Sequence, residues 1–151
     1  MSELSIVIPG EPVAKGRPRA TTVGGHARMY TPAKTRVFEN LVASCAYGAM
    51  NGRPLLAGPL RLFAFFYRGI PKSFSKKKTI AADAGEIFPV TRPDFDNYLK
   101  GTLDGLNGVV FADDSQVVAA HVYKFYSLKP RTEITIRSLE GQDDTGELGQ
   151  T

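Results

Sequence analysis

Tryptophan is absent from the 151 residues, cysteine occurs once and histidine twice. The lone thiol, Cys45, cannot close an intramolecular disulfide, and with no Cys-x-x-Cys pair or His/Cys cluster the chain offers no structural zinc site. This usage fits a reducing compartment, so the expected location is cytoplasmic. No apolar run reaches the roughly 18 residues that a membrane helix requires. The opening MSELSIVIPGEP has no basic n-region and no long apolar segment, so no secretory signal is expected. A P-loop, a G-x-S-x-G elbow and an H-E-x-x-H helix are all missing, which removes the commonest signatures of nucleotide hydrolysis, serine acyl transfer and zinc proteolysis. Neither His26, in a polar connection, nor His121, in an expected strand, stands out as a general base.

What is present suits one folded domain. The composition is 42% hydrophobic and 10% aromatic, enough for one core. The formal charge is +4, but the last thirteen residues, Leu139 to Thr151, hold Glu140, Asp143, Asp144 and Glu147 and no base. Without them the body has 19 basic and 11 acidic residues, a net of +8. A polyanion is the natural partner of such a body, although many basic proteins bind none. We expect a folded domain over 1–139 and an acidic, disordered tail over 140–151.

Leu4 to Ile8, closed by Pro9-Gly10, reads as a strand. Glu11 to Tyr30 shows no apolar periodicity and reads as a long loop, of the kind that is either functional or disordered. Thr31-Pro32 predicts a helix start with proline at the first helical position, and Val37, Phe38, Leu41, Val42, Cys45, Ala46 and Ala49 recur at helical spacing up to the Asn51-Gly52 stop. Cys45 falls on that stripe as a buried, inert thiol. Pro59 to Arg68 is apolar on both alternations from Leu62 onward, which predicts a strand covered on both faces. A basic segment punctuated by Pro and Gly follows, then a short strand at Ile87 to Val90 and a second helix over Asp94 to Leu106, with Phe95, Leu99, Leu103 and Leu106 on its apolar side. After a turn at Asp113-Asp114-Ser115, Gln116 to Tyr126 and Arg131 to Leu139 read as strands. The expected fold class is α+β: one domain, one mixed sheet and two principal helices.

The chemistry concentrates in Arg92-Pro-Asp-Phe-Asp-Asn-Tyr-Leu-Lys100 and Phe111-Ala-Asp-Asp-Ser-Gln116. Proline at 93 favours an extended Arg92, so the helix begins at or after Asp94, and Asp94 and Asp96 sit among free backbone N–H groups. As a purely structural matter they would be an N-cap and a first-turn acid. Asp96, Lys100 and Asp104 follow at intervals of four and share a face. Asp113-Asp114 arrives after a returning apolar segment, which could gather three or four carboxylates in one place. Such a cluster repels itself unless a cation is bound. Hard oxygen donors select Mg²⁺ or Mn²⁺, and carboxylate-held magnesium beside a basic loop suits phosphodiester hydrolysis. Aspartyl phosphatases and nucleotide-sugar transferases also use D-x-D. The first usually places it just after an apolar strand, and the second is usually larger.

At these residues the chain resembles the RusA family of Holliday-junction resolvases. The likeness begins at Pro9-Gly-Glu-Pro-Val-Ala-Lys-Gly-Arg-Pro-Arg19, continues through Tyr30-Thr-Pro-Ala-Lys-Thr-Arg36, and is strongest at D-x-D-N-x-x-K followed by D-x-L-N-G and D-D-x-Q. The resemblance implies a homodimeric, magnesium-dependent endodeoxyribonuclease, with Mn²⁺ as substitute, that resolves four-way DNA junctions by paired symmetric nicks in recombination and repair. It implies product ends of 5′-phosphate and 3′-hydroxyl, and a bacterial or phage origin. Asp94, Asp96 and Asp114 match the family's metal-binding acids and Lys100 its catalytic lysine. Asp113 is left as metal ligand, outer partner or turn former.

Binding is expected from Lys15, Arg17, Arg19, Arg28, Lys34 and Arg36, with interleaved Gly and Pro letting the backbone approach phosphates, and more weakly from Lys76, Lys77 and Lys78, which also read as a solvated lysine run. Two other classes stay open on the residues. One is a branched-DNA-binding module without turnover. The other is a magnesium nuclease for flaps, linear duplex or RNA, since phosphate contacts position a substrate without identifying its shape.

Overall fold

The computed structural model describes residues 3–16, 19–30 and 32–140, so the expected disorder of the tail beyond residue 140 lies outside the described residues. Strand β1 (Glu3–Pro9) alternates strictly, burying Leu4, Ile6 and Ile8. It pairs antiparallel with β6 (Arg131–Ser138), whose Thr132, Ile134 and Ile136 point the same way. β6 pairs antiparallel with β4 (Leu60–Gly69), and β4 pairs in parallel with β5 (Val117–Ser127), giving the mixed order β1-β6-β4-β5. Parallel neighbours need a crossover connection. Here the crossover is residues 70–116, and it carries both acidic motifs.

Helices α1 (Ala33–Met50) and α3 (Phe95–Leu106) cover one face of the sheet. The core joins Phe38, Val42, Ala46 and Met50 of α1 and Tyr98 and Leu106 of α3 to Leu62, Ala64, Phe66, Ile134 and Ile136. Full burial contributes about 1.5–3 kcal/mol for each large apolar side chain. Tyr98 anchors α3 by stacking on Phe66, with ring centroids 5.1 Å apart. The buried stripes are narrower than periodicity predicts. Val37 is 68% exposed, Leu41 and Phe95 also face solvent, Cys45 is half-buried, and Thr35 is buried instead. Pro32 stands at the N-cap of α1 rather than at its first helical position.

The structure corrects four expectations. The predicted loop over Glu11 to Tyr30 contains a hairpin of β2 (Arg19–Val23) and β3 (His26–Tyr30), turning at Gly24-Gly25 with φ of +57° and +81°. The basic segment before residue 84 forms α2 (Lys76–Asp83), with Ser75 accepting the Lys78 amide as N-cap. No strand forms at Ile87 to Val90. Finally, β4 is covered by helices on one face only. Its other alternation, Phe63, Phe65 and Tyr67, is half-buried by stacking across to His121, Tyr123 and Phe125 of β5, at 4.8, 5.2 and 5.6 Å. An aromatic strand can shelter its second face with neighbours in the same sheet, which apolar periodicity does not distinguish from a covering layer.

Candidate active site

Asp94 occupies the N-cap of α3 with extended backbone (φ −71°, ψ 152°), yet its side chain makes no capping hydrogen bond. A cap aspartate ordinarily accepts a free helix amide. Asp94 instead lines a cleft of about 490 Å³ with Arg92, Pro93 and Asn97. Asp96 is exposed in the first turn and accepts the adjacent Asn97 amide at 3.0 Å.

Two cations that sequence reading did not mark hold this start of α3. Lys124 of β5 donates to the carbonyls of Thr91 at 3.0 Å and Pro93 at 2.9 Å, and Arg68 of β4 donates to the Thr91 carbonyl at 3.0 Å. Burial and then repulsion from Arg68 hold the Lys124 ammonium below its ordinary pKa, with Asp94 pulling the other way. The signal was available, because Lys124 interrupts the inward alternation Val122, Lys124, Tyr126.

The second acidic pair is fixed by a turn. Gln116 accepts the amides of Ala112 and Asp113 at 3.0 and 3.2 Å and donates to the carbonyls of Leu56 and Gly58, both at 3.1 Å. Asp113 caps the single 3-10 turn Asp114–Gln116, accepting the Ser115 amide at 3.2 Å, and its bonds to Ser115 hold its carboxyl below the usual range. Asp113 thus serves as the cap of this turn. Asp114 is left to meet Lys100, whose Nζ lies 3.4 Å from Asp114 Oδ2 and 3.0 Å from Asp104 Oδ1. Lys100 thus pairs within α3 with Asp104, while no ion pair with Asp96 forms.

The network continues inward. Asp104 Oδ2 meets Lys15 Nζ at 3.0 Å, and Lys15 Nζ meets Glu39 Oε2 of α1 at 2.7 Å. Its hydrogen bond to Asp104 leads in raising the Lys100 pKa, so the side chain is an ammonium at neutral pH. Burial pushes the Asp104 carboxyl up, but its bonds to Lys100 and Lys15 outweigh that and lower it. The Lys15 ammonium is opposed by burial and raised on balance by Glu39 and Asp104.

Among the described residues no three Asp, Glu, His or Cys side chains come together so as to hold a metal ion. The expected gathering of three or four carboxylates is replaced by separate satisfaction: Asp96 and Asp113 on local amides, Asp114 on Lys100. The donor chemistry still suits magnesium, which takes one or two carboxylates and completes its shell with phosphate oxygens and water. Asp94, which makes no capping bond, Asp96 in the first turn and Asp114 are the carboxylates that could serve.

The predicted DNA contacts divide. Lys15 is drawn into the ion network, and Arg17 lies outside the described residues. Arg19 starts β2, and Arg28 is exposed on β3 opposite Thr21. Lys34 and Arg36 are exposed in the first turns of α1, where Lys34 lines a cleft of about 660 Å³ with Arg68 and Pro93. Lys76, Lys77 and Lys78 open α2, and Lys78 lies over the Phe74 ring at 4.1 Å. Among the described residues no helix is long and apolar enough to cross a membrane.

The family model for endodeoxyribonuclease RusA matches residues 9–137, a span that takes in every acidic and basic residue of this site. The chain is also 43% identical over 143 residues to YqaN of Bacillus subtilis (strain 168), described as an uncharacterized protein, with 92% of this chain and 99% of that one aligned.

Proposed function

Because the chain belongs to the RusA family of endodeoxyribonucleases, we propose that it is a magnesium-dependent, structure-specific nuclease that resolves four-way DNA junctions as a two-fold homodimer. The observation that carries this reading is the meeting of Lys100 with Asp114, which joins the two acidic motifs at the helix whose N-cap residue, Asp94, makes no capping bond. Asp94, Asp96 and Asp114 would hold Mg²⁺, with Mn²⁺ as substitute. A metal held there would supply an activated water and would offset the charge that grows on the phosphate. Lys100, cationic at neutral pH, has three N–H donors, of which two face Asp104 and Asp114. The third is free for a non-bridging phosphate oxygen, which it stabilises as charge develops. Lys124 and Arg68 keep the backbone ahead of Asp94 rigid. Arg28, Lys34 and Arg36 would hold the DNA arms through phosphates. Action in the cytoplasm of a bacterial or phage-infected cell is supported by the free thiol of Cys45 and by the relative in Bacillus subtilis.

A dimer is supported by the sheet face that bears neither α1 nor α3. Beside its aromatic rows run Glu3, paired with Arg137 at 3.0 Å, and Arg131, paired with Glu133 at 2.6 Å. Both signs alternate there, unlike the basic body, which suits a second copy of the chain better than a polyanion. A two-fold axis can set each Arg against a partner Glu. The Tyr123→Glu substitution puts a charge on this face at a residue 45% exposed, so folding should survive. We expect sedimentation velocity to show a dimer of the 16.4 kDa chain for the wild type and a monomer for this variant. A variant that stays dimeric would move the interface elsewhere.

The activity is tested with a synthetic four-way junction and a linear duplex of equal length, each in Mg²⁺ and in EDTA. Paired symmetric nicks in the junction alone, and only with metal, are expected. Cutting of both substrates would make it a general nuclease, and binding without cutting would make it a junction-binding module.

A further inference from the structure

We propose that Lys15 and Asp104 are positioning residues that set the place of the Lys100 ammonium, and that Lys15 does not contact DNA. The proposal rests on the nuclease reading above. By sequence Lys15 opens the basic stretch that continues to Arg36, yet its side chain is 22% exposed and its Nζ is bound by two carboxylates from different helices. Its backbone is held as firmly. The Lys15 N–H donates to the Asn97 carbonyl of α3 at 2.9 Å, and the next amide, Gly16, donates to Thr35 Oγ1 of α1 at 3.0 Å. The strap lies against α3 at Gly101, where a Cβ would stand 3.4 Å from both Lys15 N and the Val13 carbonyl oxygen, in ordinary contact. Residues 13–16 are thus a strap across the start of both helices, with a cation fixed at its end.

Asp104 stands between two lysines and gives one oxygen to each, Oδ2 to Lys15 and Oδ1 to Lys100. Charges alternate along Glu39, Lys15, Asp104, Lys100 and Asp114. Lys15 therefore decides how strongly Asp104 can hold Lys100. With Lys15 gone, both Asp104 oxygens are open to Lys100, which retracts from Asp114 and from any phosphate beside it. With Asp104 gone, Lys100 loses its anchor and collapses onto Asp114 alone. Either change displaces a cation that must meet a phosphate oxygen within hydrogen-bond distance. Misplacement of about 1 Å can cost on the order of 100-fold in rate.

The test uses full-length Lys15→Met, Lys15→Arg and Asp104→Asn. Three measurements are made: single-turnover junction cleavage in Mg²⁺, the salt dependence of junction binding in EDTA, and the NMR shift of the Lys100 side-chain amine without DNA. Lys15→Met and Asp104→Asn should slow cleavage about 10- to 100-fold and move the Lys100 resonance, with Lys15→Arg recovering most of both. The salt slope of Lys15→Met should equal that of the wild type. A slope smaller by about one unit would make Lys15 a phosphate contact and overturn the proposal. An unmoved Lys100 resonance in a slowed Lys15→Met would also overturn it, leaving Lys15 a general support of the fold. A wild type that cuts no DNA would overturn the nuclease reading and this proposal together, whereas a wild type that cuts, with either result above, overturns this proposal alone.

Discussion

Asp96→Asn should abolish junction cleavage, by about 1,000-fold or more given what one charged group at a phosphoryl site contributes, while binding in EDTA stays near wild type. The substitution keeps the side chain's shape and removes one negative charge. The carboxylate is exposed, and its one structural contact, acceptance of the Asn97 amide at 3.0 Å, can be made by an asparagine oxygen. Folding should therefore be unaffected. Binding should survive because the exposed cations, Arg28, Lys34 and Arg36, lie on other elements. Asp114→Asn should behave likewise, because it removes a carboxylate facing Lys100. Asp113→Asn is the informative contrast. Asp113 acts as the cap of a turn, and asparagine caps about as well as aspartate. Its cleavage rate should stay close to wild type. Full activity in Asp96→Asn would remove that residue from the mechanism, and a dead Asp113→Asn would make Asp113 a ligand after all.

The second large effect is structural. Gly105→Ala should destabilise the protein by about 1–3 kcal/mol, the usual cost of forcing a methylene into a packed interior, whereas alanine normally stabilises a helix. At Gly105 a Cβ would lie 2.7 Å from Val42 Cβ and 2.9 Å from the Glu39 carbonyl oxygen, so α1 and α3 can cross this closely only with glycine at that point. Gly48 is the control. It is exposed in α1 with nothing within 4 Å of an added Cβ, and Gly48→Ala should stabilise by about 0.5–1 kcal/mol. Adding Val42→Ala to Gly105→Ala should recover little of the loss, because alanine keeps the Val42 Cβ and the Glu39 carbonyl remains in the way. Chemical denaturation of the three variants and the wild type reads all of this, and equal effects at Gly105 and Gly48 would refute the close crossing. The crossing also matters for the site, since Glu39 and Asp104, the two partners of Lys15, face each other across it.

The family resemblance, carried by Pro9 to Arg36 and by the two acidic motifs, agrees with the match over residues 9–137. Much of the frame was legible locally as well. The alternation of β1 and β6, the long helix ending at Asn51, the helix beginning after Pro93 and the turn at Asp113-Asp114-Ser115 all follow from interactions within a few residues, which the chain carries with it wherever it folds. The hairpin β2–β3 left no such trace, because its described side chains are all exposed and nothing selects an apolar alternation. Helix α2 left little, with three lysines in its first turn and only Ala82 buried.

The site shows the same division. The Lys100–Asp104 pair is one turn of helix and could be read from spacing. The partners of Lys15 lie 24 and 89 positions away, and those of Lys124 about thirty positions back, so only the folded chain selects them. The sequence by itself determined which residue types are available, which elements form by local periodicity, and which family the motifs match. The tertiary structure alone decided which cations face solvent and which are locked against carboxylates, which aspartate caps a turn and which stands open, and which sheet face is bare. Charge and burial act over a few ångströms in space, and distance along the chain does not specify them.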